Sequence, residues 1–284
     1  MQISLTNPTQ QPLTVKKVLT QQGVSHRLYH KLKQIPANFV VNHRRVPADY
    51  LVNPQATVCF ELPTENNPDL TASFQPLNCV YEDDHWLVVD KPVGLSSVPG
   101  PSNRIDTLTN RVKGYWLQQG SENLVPHIIT RLDRGTQGLV LIAKHLLANS
   151  WAQQQLAQQQ IKKYYYARVA GQLSTSHGLL DQPIGRQGQQ IARQIMAEGQ
   201  PALTEYWVLQ TQADDTLVKV QLHTGRTHQI RVHFAATGHP LLGDQLYGGP
   251  VSSTYPHQAL EAYYLSFFDP ITQKPLTFTL PLRI

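Results

Sequence analysis

Residues 131 to 138 read Arg131-Leu132-Asp133-Arg134-Gly135-Thr136-Gln137-Gly138, one carboxylate set between two permanent cations. Opposite charge within a few ångströms favours the ionised form, so Asp133 is expected to stay charged below its reference pKa of about 3.9. A carboxylate kept charged can act as a nucleophile. The same run also fits a solvated turn with a local ion pair, which contributes little. Tyr164-Tyr165-Tyr166 offers ring faces, and taken alone it reads as half-buried packing on a strand. Arg226 follows Thr224-Gly225, whose backbone donors also suit an anion, so a phosphate clamp is one reading of it. His223, His228, His233 and His239 lie five, five and six residues apart, which puts no pair on one helical face as metal ligands. No H-E-x-x-H run is present, so these histidines read as capping, packing or ligand contacts, and no metal is expected.

The elements that must hold these groups follow from apolar spacing. Gly135 and Gly138 allow a tight turn before the apolar Leu139 to Ala143, which places Asp133 at the entrance of a buried strand. Val80-Tyr81, Trp86 to Val89, Tyr164 to Val169, Ala202 to Gln210 and Leu217 to Leu222 also read as strands. Leu108 to Gln118 and Thr227 to Ala236 read as helices, the second ended by Gly238. His145 to Gln160 carries Leu147, Trp151 and Leu156 at helical spacing, and its glutamines read as a solvated face rather than a functional tract. Strands and helices do not alternate regularly, which excludes a doubly wound parallel sheet. An α+β body around a mixed, largely antiparallel sheet is expected.

Charge is distributed unevenly. Residues 1–62 hold Lys16, Lys17, Arg27, Lys31, Lys33, Arg44 and Arg45 against Asp49 and Glu61, a net +5 that equals the formal charge of the whole chain. A basic head on a neutral body fits a polyanion partner, with a solvated basic face as the alternative. Val15, Val18, Leu19, Val24, Leu28 and Leu32 predict two short helices meeting near Gly23, followed by strands at Phe39 to Asn42 and Ala56 to Leu62 around the basic turn His43-Arg44-Arg45. Pro63 to Asp69 has the prolines and polar residues of an exposed linker. Three parts are thus expected: a basic module over 1–62, a linker over 63–76 and a body over 77–284. The chain has 284 residues, 40% of them hydrophobic, with no apolar run of membrane length and no basic-then-apolar leader at Met1 to Pro8, so a cytoplasmic protein without a membrane span is expected. Cys59 and Cys79 sit in apolar contexts and read as buried free thiols.

The Asp133 run resembles the R-L-D-x-x-T-S-G signature of RluA-type pseudouridine synthases. Four further segments match that family in order: Lys91-Pro92-Val93-Gly94-Leu95, Lys163 to Gly171 as K-x-Y-x-A-x-V-x-G, Leu222 to His233 with Gly238 to Asp244 and Tyr247-Gly248, and Ala259 to Ala262 with Pro270. Together they span roughly residues 77–282, and ordered motifs of this kind are hard to meet by chance. The head, with Ser25-His26-Arg27 opening its second helix and Val41-Asn42 before its turn, resembles the RNA-binding module of ribosomal small-subunit protein four. Here His43 replaces the usual turn glycine.

The resemblance implies an RNA-modifying isomerase that detaches a uracil, rotates it and rejoins it through carbon 5, with no cofactor. It implies Asp133 as nucleophile, Arg226 paired with Asp133 to orient it, Tyr165 stacked on the flipped base, and Ile230 in the pocket wall. It further assigns substrate contacts to Arg131, Arg134, Thr136, Lys91 and Arg231, with Arg104 and Arg186 as additional cations. The partner implied is RNA, ribosomal in preference to transfer RNA, and the enzyme a monomer. Thr130, Gln137, Glu261 and Asp269 depart from the family pattern, which keeps open a non-catalytic RNA-binding or ribosome-assembly role. A hydrolase using Asp133 with a histidine would instead release free uracil.

Overall fold

A computed structural model describes all of residues 1–284. The head comprises β1 (Gln2–Thr6), β2 (Leu13–Thr14), α1 (Val15–Gln21), α2 (His26–Gln34), β3 (Val40–Val41), β4 (Arg44–Arg45), β5 (Leu51–Val52) and β6 (Thr57–Glu61). The Oγ1 of Thr14 and the Oγ of Ser25 accept the backbone N–H of Lys17 and Leu28, which caps both helices where the spacing predicted them. A four-stranded sheet, ordered β1-β6-β3-β4, backs them. Its hairpin turn is made by Asn42 and His43, both left-handed at φ 49° and 62°, so His43 adopts the conformation that a glycine would take without strain. β1 was not foreseen, because its two inward residues Ile3 and Leu5 are too short an alternation to stand out.

The body comprises β7 (Cys79–Glu82), β8 (Trp86–Lys91), α3 (Leu108–Gln118), β9 (His127–Ile128), β10 (Gln137–Ala143), α4 (Leu146–Ala157), β11 (Lys162–Ala170), β12 (His177–Leu180), β13 (Ile184–Gly185), β14 (Gln194–Ile195), β15 (Thr204–Thr211), β16 (Asp215–Leu222), α5 (Gln229–Ala236), β17 (Leu260–Asp269) and β18 (Lys274–Thr279). One ten-stranded sheet runs β12-β15-β16-β11-β17-β10-β8-β7, with β18 on β17 and β9 on β10. Only β10 and β17 pair in parallel, at Gln137↔Glu261 and Gly138↔Ala262. The mixed, largely antiparallel α+β body expected from the sequence is the one observed.

Both faces of the central strands are covered, which is why they read as continuous apolar runs. Leu87 and Val89 of β8 and Val140 and Ile142 of β10 point to a core with α3 and α5. Their neighbours Trp86, Val88, Leu139 and Leu141 point to a second core, and that core includes Val15, Leu19, Leu28 and Phe60 of the head. The head is therefore not hung on an exposed linker. The Trp151 indole donates to the carbonyl of Gln22 at 2.9 Å, and Ser150 bonds Ser25 at 3.0 Å. The linker is itself tied down: Lys113 donates to the carbonyls of Asn67 and Leu70, and Asn110 to that of Thr71. A side chain at Gly114 would collide with the Ser73 carbonyl, so glycine lets this segment lie directly on α3.

The thiols also differ from expectation. Cys79 is exposed on the edge strand β7, and Cys59 is half-buried beside Ser4. The edge position of β7 exposed Cys79 and strand alternation on the inner strand β6 turned Cys59 outward, and composition around them carried no sign of it. No helix is long and apolar enough to cross a membrane.

His145 is buried at the start of α4 and carries a pH consequence. Its Nδ1 accepts the Ala148 N–H that starts α4, so Nε2 bears the proton and donates to His85 Nδ1 at 2.9 Å. Burial, with the charges of His85 and His127 adding to it, pushes its pKa down to about 3. A folded pKa below the unfolded value of about 6.5 means that the unfolded chain binds the extra proton first, so stability is lost as pH falls from about 6.5 towards 3. We expect His145→Asn, which keeps a cap acceptor, to remove an acid-dependent loss on the order of a few kcal/mol relative to the parent, read as the difference between urea titrations at pH 7 and pH 4.5.

Candidate active site

Asp133 lies in the loop between β9 and β10. The Thr136 N–H closes a turn onto the Asp133 carbonyl, and Ser97 clasps the neighbouring Leu132 at both its N–H (3.0 Å) and its carbonyl (2.7 Å). Gly94 N–H donates to the Arg134 carbonyl, and Arg134 Nε returns a bond to the Gly94 carbonyl. The loop following Lys91 is thus a bracket for the Asp133 loop. Lys91 closes that bracket from inside. It is wholly buried, and its ammonium donates to the carbonyls of Pro92 and Leu95. Burial pulls its pKa down to about 8 against the opposing pull of Asp133 and Asp90. The expected role of Lys91 as a substrate contact is therefore corrected to a structural one.

The cation on Asp133 is Arg231, not Arg226. Arg231 Nη1 donates to Asp133 Oδ2 at 3.0 Å, while Nε and Nη2 form a fork on Asp244 at 2.7 and 2.8 Å. Its plane lies over the Tyr247 ring, 4.9 Å from the centroid. Burial opposes the charge of Arg231, but the bonds and charges of Asp244 and Asp133 outweigh burial and hold the proton more firmly than in a free guanidinium. Arg226 stands before α5 and donates to the Pro201 carbonyl and the Gln200 side chain. Position explains the exchange: Arg226 lies in the loop before α5, whereas Arg231 lies within α5 among six successive buried residues, Gln229 to Phe234. Arg231 is 6% exposed and, like Tyr165 and Ile230, is one of the buried residues that line the small pocket beside Asp133.

His228 is the N-terminal cap of α5, held left-handed at φ 59°. Its Nδ1 bonds the Tyr247 hydroxyl at 2.8 Å and its Nε2 stands 3.8 Å from Asp133 Oδ2. Burial lowers its pKa against the opposing charge of Asp133. His228, Asp244 and Tyr247 were not singled out as site residues from the sequence, although all three fall within the motif that begins at Leu222. The other histidines of that group have separate partners: His223 on Glu205, His233 on Thr204 and Gln182, and His239 on the Ala170 carbonyl.

Tyr165 enters from the other side of the site. A bulge on β17 admits Tyr263 as an extra residue between the partners of Tyr164 and Tyr165. Tyr165 faces inward, with its phenol pKa raised by burial and by Asp133. Tyr164 and Tyr166 face outward, where Tyr166 stacks on Tyr263 at 3.7 Å and Tyr164 meets Tyr264 edge-on. A small pocket of about 60 Å³ lies among Asp133, Tyr165, Thr136, Ile230, Leu132 and Leu260. It opens beside a cavity of about 930 Å³ whose lining cations are Arg131, Arg134, Lys162, Lys163, Arg193 and Arg226, with Asp133 as the one carboxylate. Asp133, Tyr165, Ile230, Thr136, Arg131, Arg134 and Arg226 therefore converge on one site, and Arg186 does not line it, its guanidinium bonding the carbonyls of Gln189 and Gln190. The head cations are exposed apart from Lys31, which is half-buried 3.9 Å from Glu65.

The departures from the family pattern have structural partners. Glu261 is fully buried and receives the Arg283 backbone N–H and guanidinium, and the same guanidinium forks onto Asp90. Thr130 Oγ1 accepts from Leu141 N–H, and Asp269 accepts the Trp86 indole proton.

The chain as a whole has known relatives. Residues 85–236 match the RNA pseudouridylate synthase family. The chain belongs to that family. The synthase is 36% identical over 272 residues to an uncharacterized RNA pseudouridine synthase, YjbO, of Bacillus subtilis, covering 95% of each chain. It is 40% identical over 230 residues to ribosomal large subunit pseudouridine synthase D of Nitrosomonas europaea, covering 77% of this chain and 66% of that one. Among solved structures it is similar to human RNA pseudouridylate synthase domain containing 1, with a TM-score of 0.59 and 25% identity over 74% of this chain and 85% of that one. The synthase is an isomerase that acts on RNA.

Arg231→Met in the synthase leaves Asp244 buried without its partner, so we expect a stability loss of about 3–5 kcal/mol together with loss of turnover. Arg226→Ala, whose partners are a carbonyl and an exposed amide, should leave the unfolding free energy within about 0.5 kcal/mol of the parent. Denaturant titration of both variants checks the contrast.

Proposed function

We propose that Asp133 is the nucleophile of the isomerisation and that the synthase modifies single-stranded or looped uridines of large-subunit ribosomal RNA. The reading rests on one observation: a carboxylate, held by a buried arginine, at the mouth of a pocket walled by Tyr165 and Ile230. The reaction breaks the bond from ribose C1′ to uracil N1, forms one from C1′ to C5, and moves the C5 proton so that N1 gains one. It needs no redox partner, because atoms and electrons balance within the nucleotide. Asp133 supplies the negative group that assists cleavage, and Arg231 fixes which carboxylate oxygen faces the substrate. The Tyr165 ring stacks on the extruded base, and Ile230 and Leu260 keep the detached uracil from water.

Extrusion costs a few kcal/mol, least where the base is already unpaired. The cations around the cavity and the basic head offset that by holding phosphates. The ribosomal target follows from the relatives named as large-subunit synthases in Nitrosomonas europaea and Pseudomonas aeruginosa. The head acts in this reading as the RNA-binding module, fixed in its distance from Asp133 by the shared core.

The test is tritium release from ribosomal RNA labelled at uridine C5. The parent should release tritium and Asp133→Asn should fall to background while binding RNA within about threefold of the parent, since removing one carboxylate takes no phosphate contact away. Tight binding without release by the parent would sink the catalytic assignment. Affinity for single-stranded RNA should also drop by about two to three orders of magnitude between roughly 50 and 200 mM salt, because about six phosphate contacts release counterions. A flat response in a fluorescence anisotropy titration would show that the cavity cations do not meet phosphate.

A further inference from the structure

The helix α4 joins the head to the catalytic cavity, and its composition is unusual for a wall of an RNA cleft. Residues 146–161 contain no Asp, Glu, Lys or Arg, and six of them are glutamines. These glutamines have different tasks. Gln155 is buried and uses both ends of its amide on the backbone of Phe268. Gln154 faces the head and reaches the Gly23 carbonyl. Gln153 and Gln159 line the large cavity. Gln159 does so from a left-handed turn, φ 56°, that ends the helix and leads the chain into Lys162 and Lys163.

We propose that α4 is a base-reading ridge: unpaired RNA flanking the target uridine runs along it between the head and Asp133, and the amides of Gln153 and Gln159 read the base edges. This rests on the pseudouridine synthase reading of the cavity. Charge places the strand there. Arg27 stands two residues beyond Ser25, where the head touches α4, and Lys162 follows the ridge at its other end. Phosphates have cations at both ends and no acid between. From Ser150 to Ala157 the helix spans about 10 Å, room for about three stacked nucleotides, with Gln159 in the turn just beyond.

The chemistry of the ridge sets its role. A carboxamide presents a donor and an acceptor side by side, the pattern that matches the N6 and N7 edge of adenine. Unpaired bases expose such edges where a duplex hides them. An uncharged amide adds little salt-dependent affinity, so Gln153 and Gln159 discriminate between sequences while the cations hold the strand.

The experiment uses the full chain on RNA fragments carrying the modified uridine, with each flanking base changed in turn. The readouts are kcat/KM for pseudouridine formation and ultraviolet cross-linking to 4-thiouridine RNA mapped by mass spectrometry. The parent should favour its own flanking sequence, and the Gln153→Ala, Gln159→Ala double variant should lose about tenfold of that preference with an unchanged melting temperature. Gln158→Ala, exposed and outside the cavity, should behave as the parent. An undiminished preference in the double variant overturns the proposal. So does a cross-link map that finds RNA on the head and cavity but never on residues 149–160, and this second readout stands even if no pseudouridine forms. Absence of pseudouridine with the parent on every fragment would instead fail the isomerase reading.

Discussion

A guanidinium removed from water must be compensated, and the compensation of Arg231 organises the catalytic half of this protein. Two carboxylates meet it, Asp244 with a two-bond fork and Asp133 with one bond. The fork is almost completely buried, so it fixes the arginine; the single bond reaches outward, so it fixes Asp133 while leaving the rest of that carboxylate facing the pocket. Breaking such a set from one side leaves an unpaired buried charge, which is far costlier than losing a surface pair. The phase of α5, the position of the turn after Leu242 and the conformation of the Asp133 loop must all satisfy this one group.

The sheet provides the frame on which that condition can be met. Its only parallel pairing, between β10 and β17, brings the start of the strand after Asp133 against Ala262, with Gly138 at φ 114° where a side chain would strike the Ala262 carbonyl. The opposite neighbour of β17 is β11, whose alternation turns Tyr165 inward while leaving its neighbouring tyrosines outside. Asp133 and the Tyr165 ring thus reach one pocket from strands on either side of β17. The bracket formed by Ser97, Gly94 and Lys91 then limits the movement of the loop, and its buried lysine adds positive potential near Asp133.

The basic head shares a hydrophobic core with the sheet, so its cations stand at a set distance from the pocket. Two kinds of surface result. The cavity rim and the head are cationic and suited to phosphate, while α4 between them is neutral and rich in amides. Separating attraction from discrimination in this way agrees with the general division between backbone contacts, which position a nucleic acid, and base contacts, which specify it.

Much of this was legible in the residues themselves. Helical spacing marked Leu108 to Gln118 to its last residue, the apolar runs marked β8 and β10, and Thr14 and Ser25 stand as caps where the head helices begin. Such features depend on near neighbours, so local order suffices to find them. The group of Asp133, Tyr165 and Ile230 was legible through motif order. The choice between Arg226 and Arg231 was not, because the pair spans 98 residues and turns on whether the loop before α5 or the buried helix itself meets the Asp133 loop. The burial of Lys91, the exposure of Cys79 and the docking of residues 63–76 were equally hidden. By itself the sequence determined most of the segments that become strands and helices and, through motif order, that Asp133, Tyr165 and Ile230 share one site. Only the tertiary structure decided which cation meets the carboxylate and which polar side chains are buried, since desolvation and pairing depend on the atoms that arrive from distant parts of the chain.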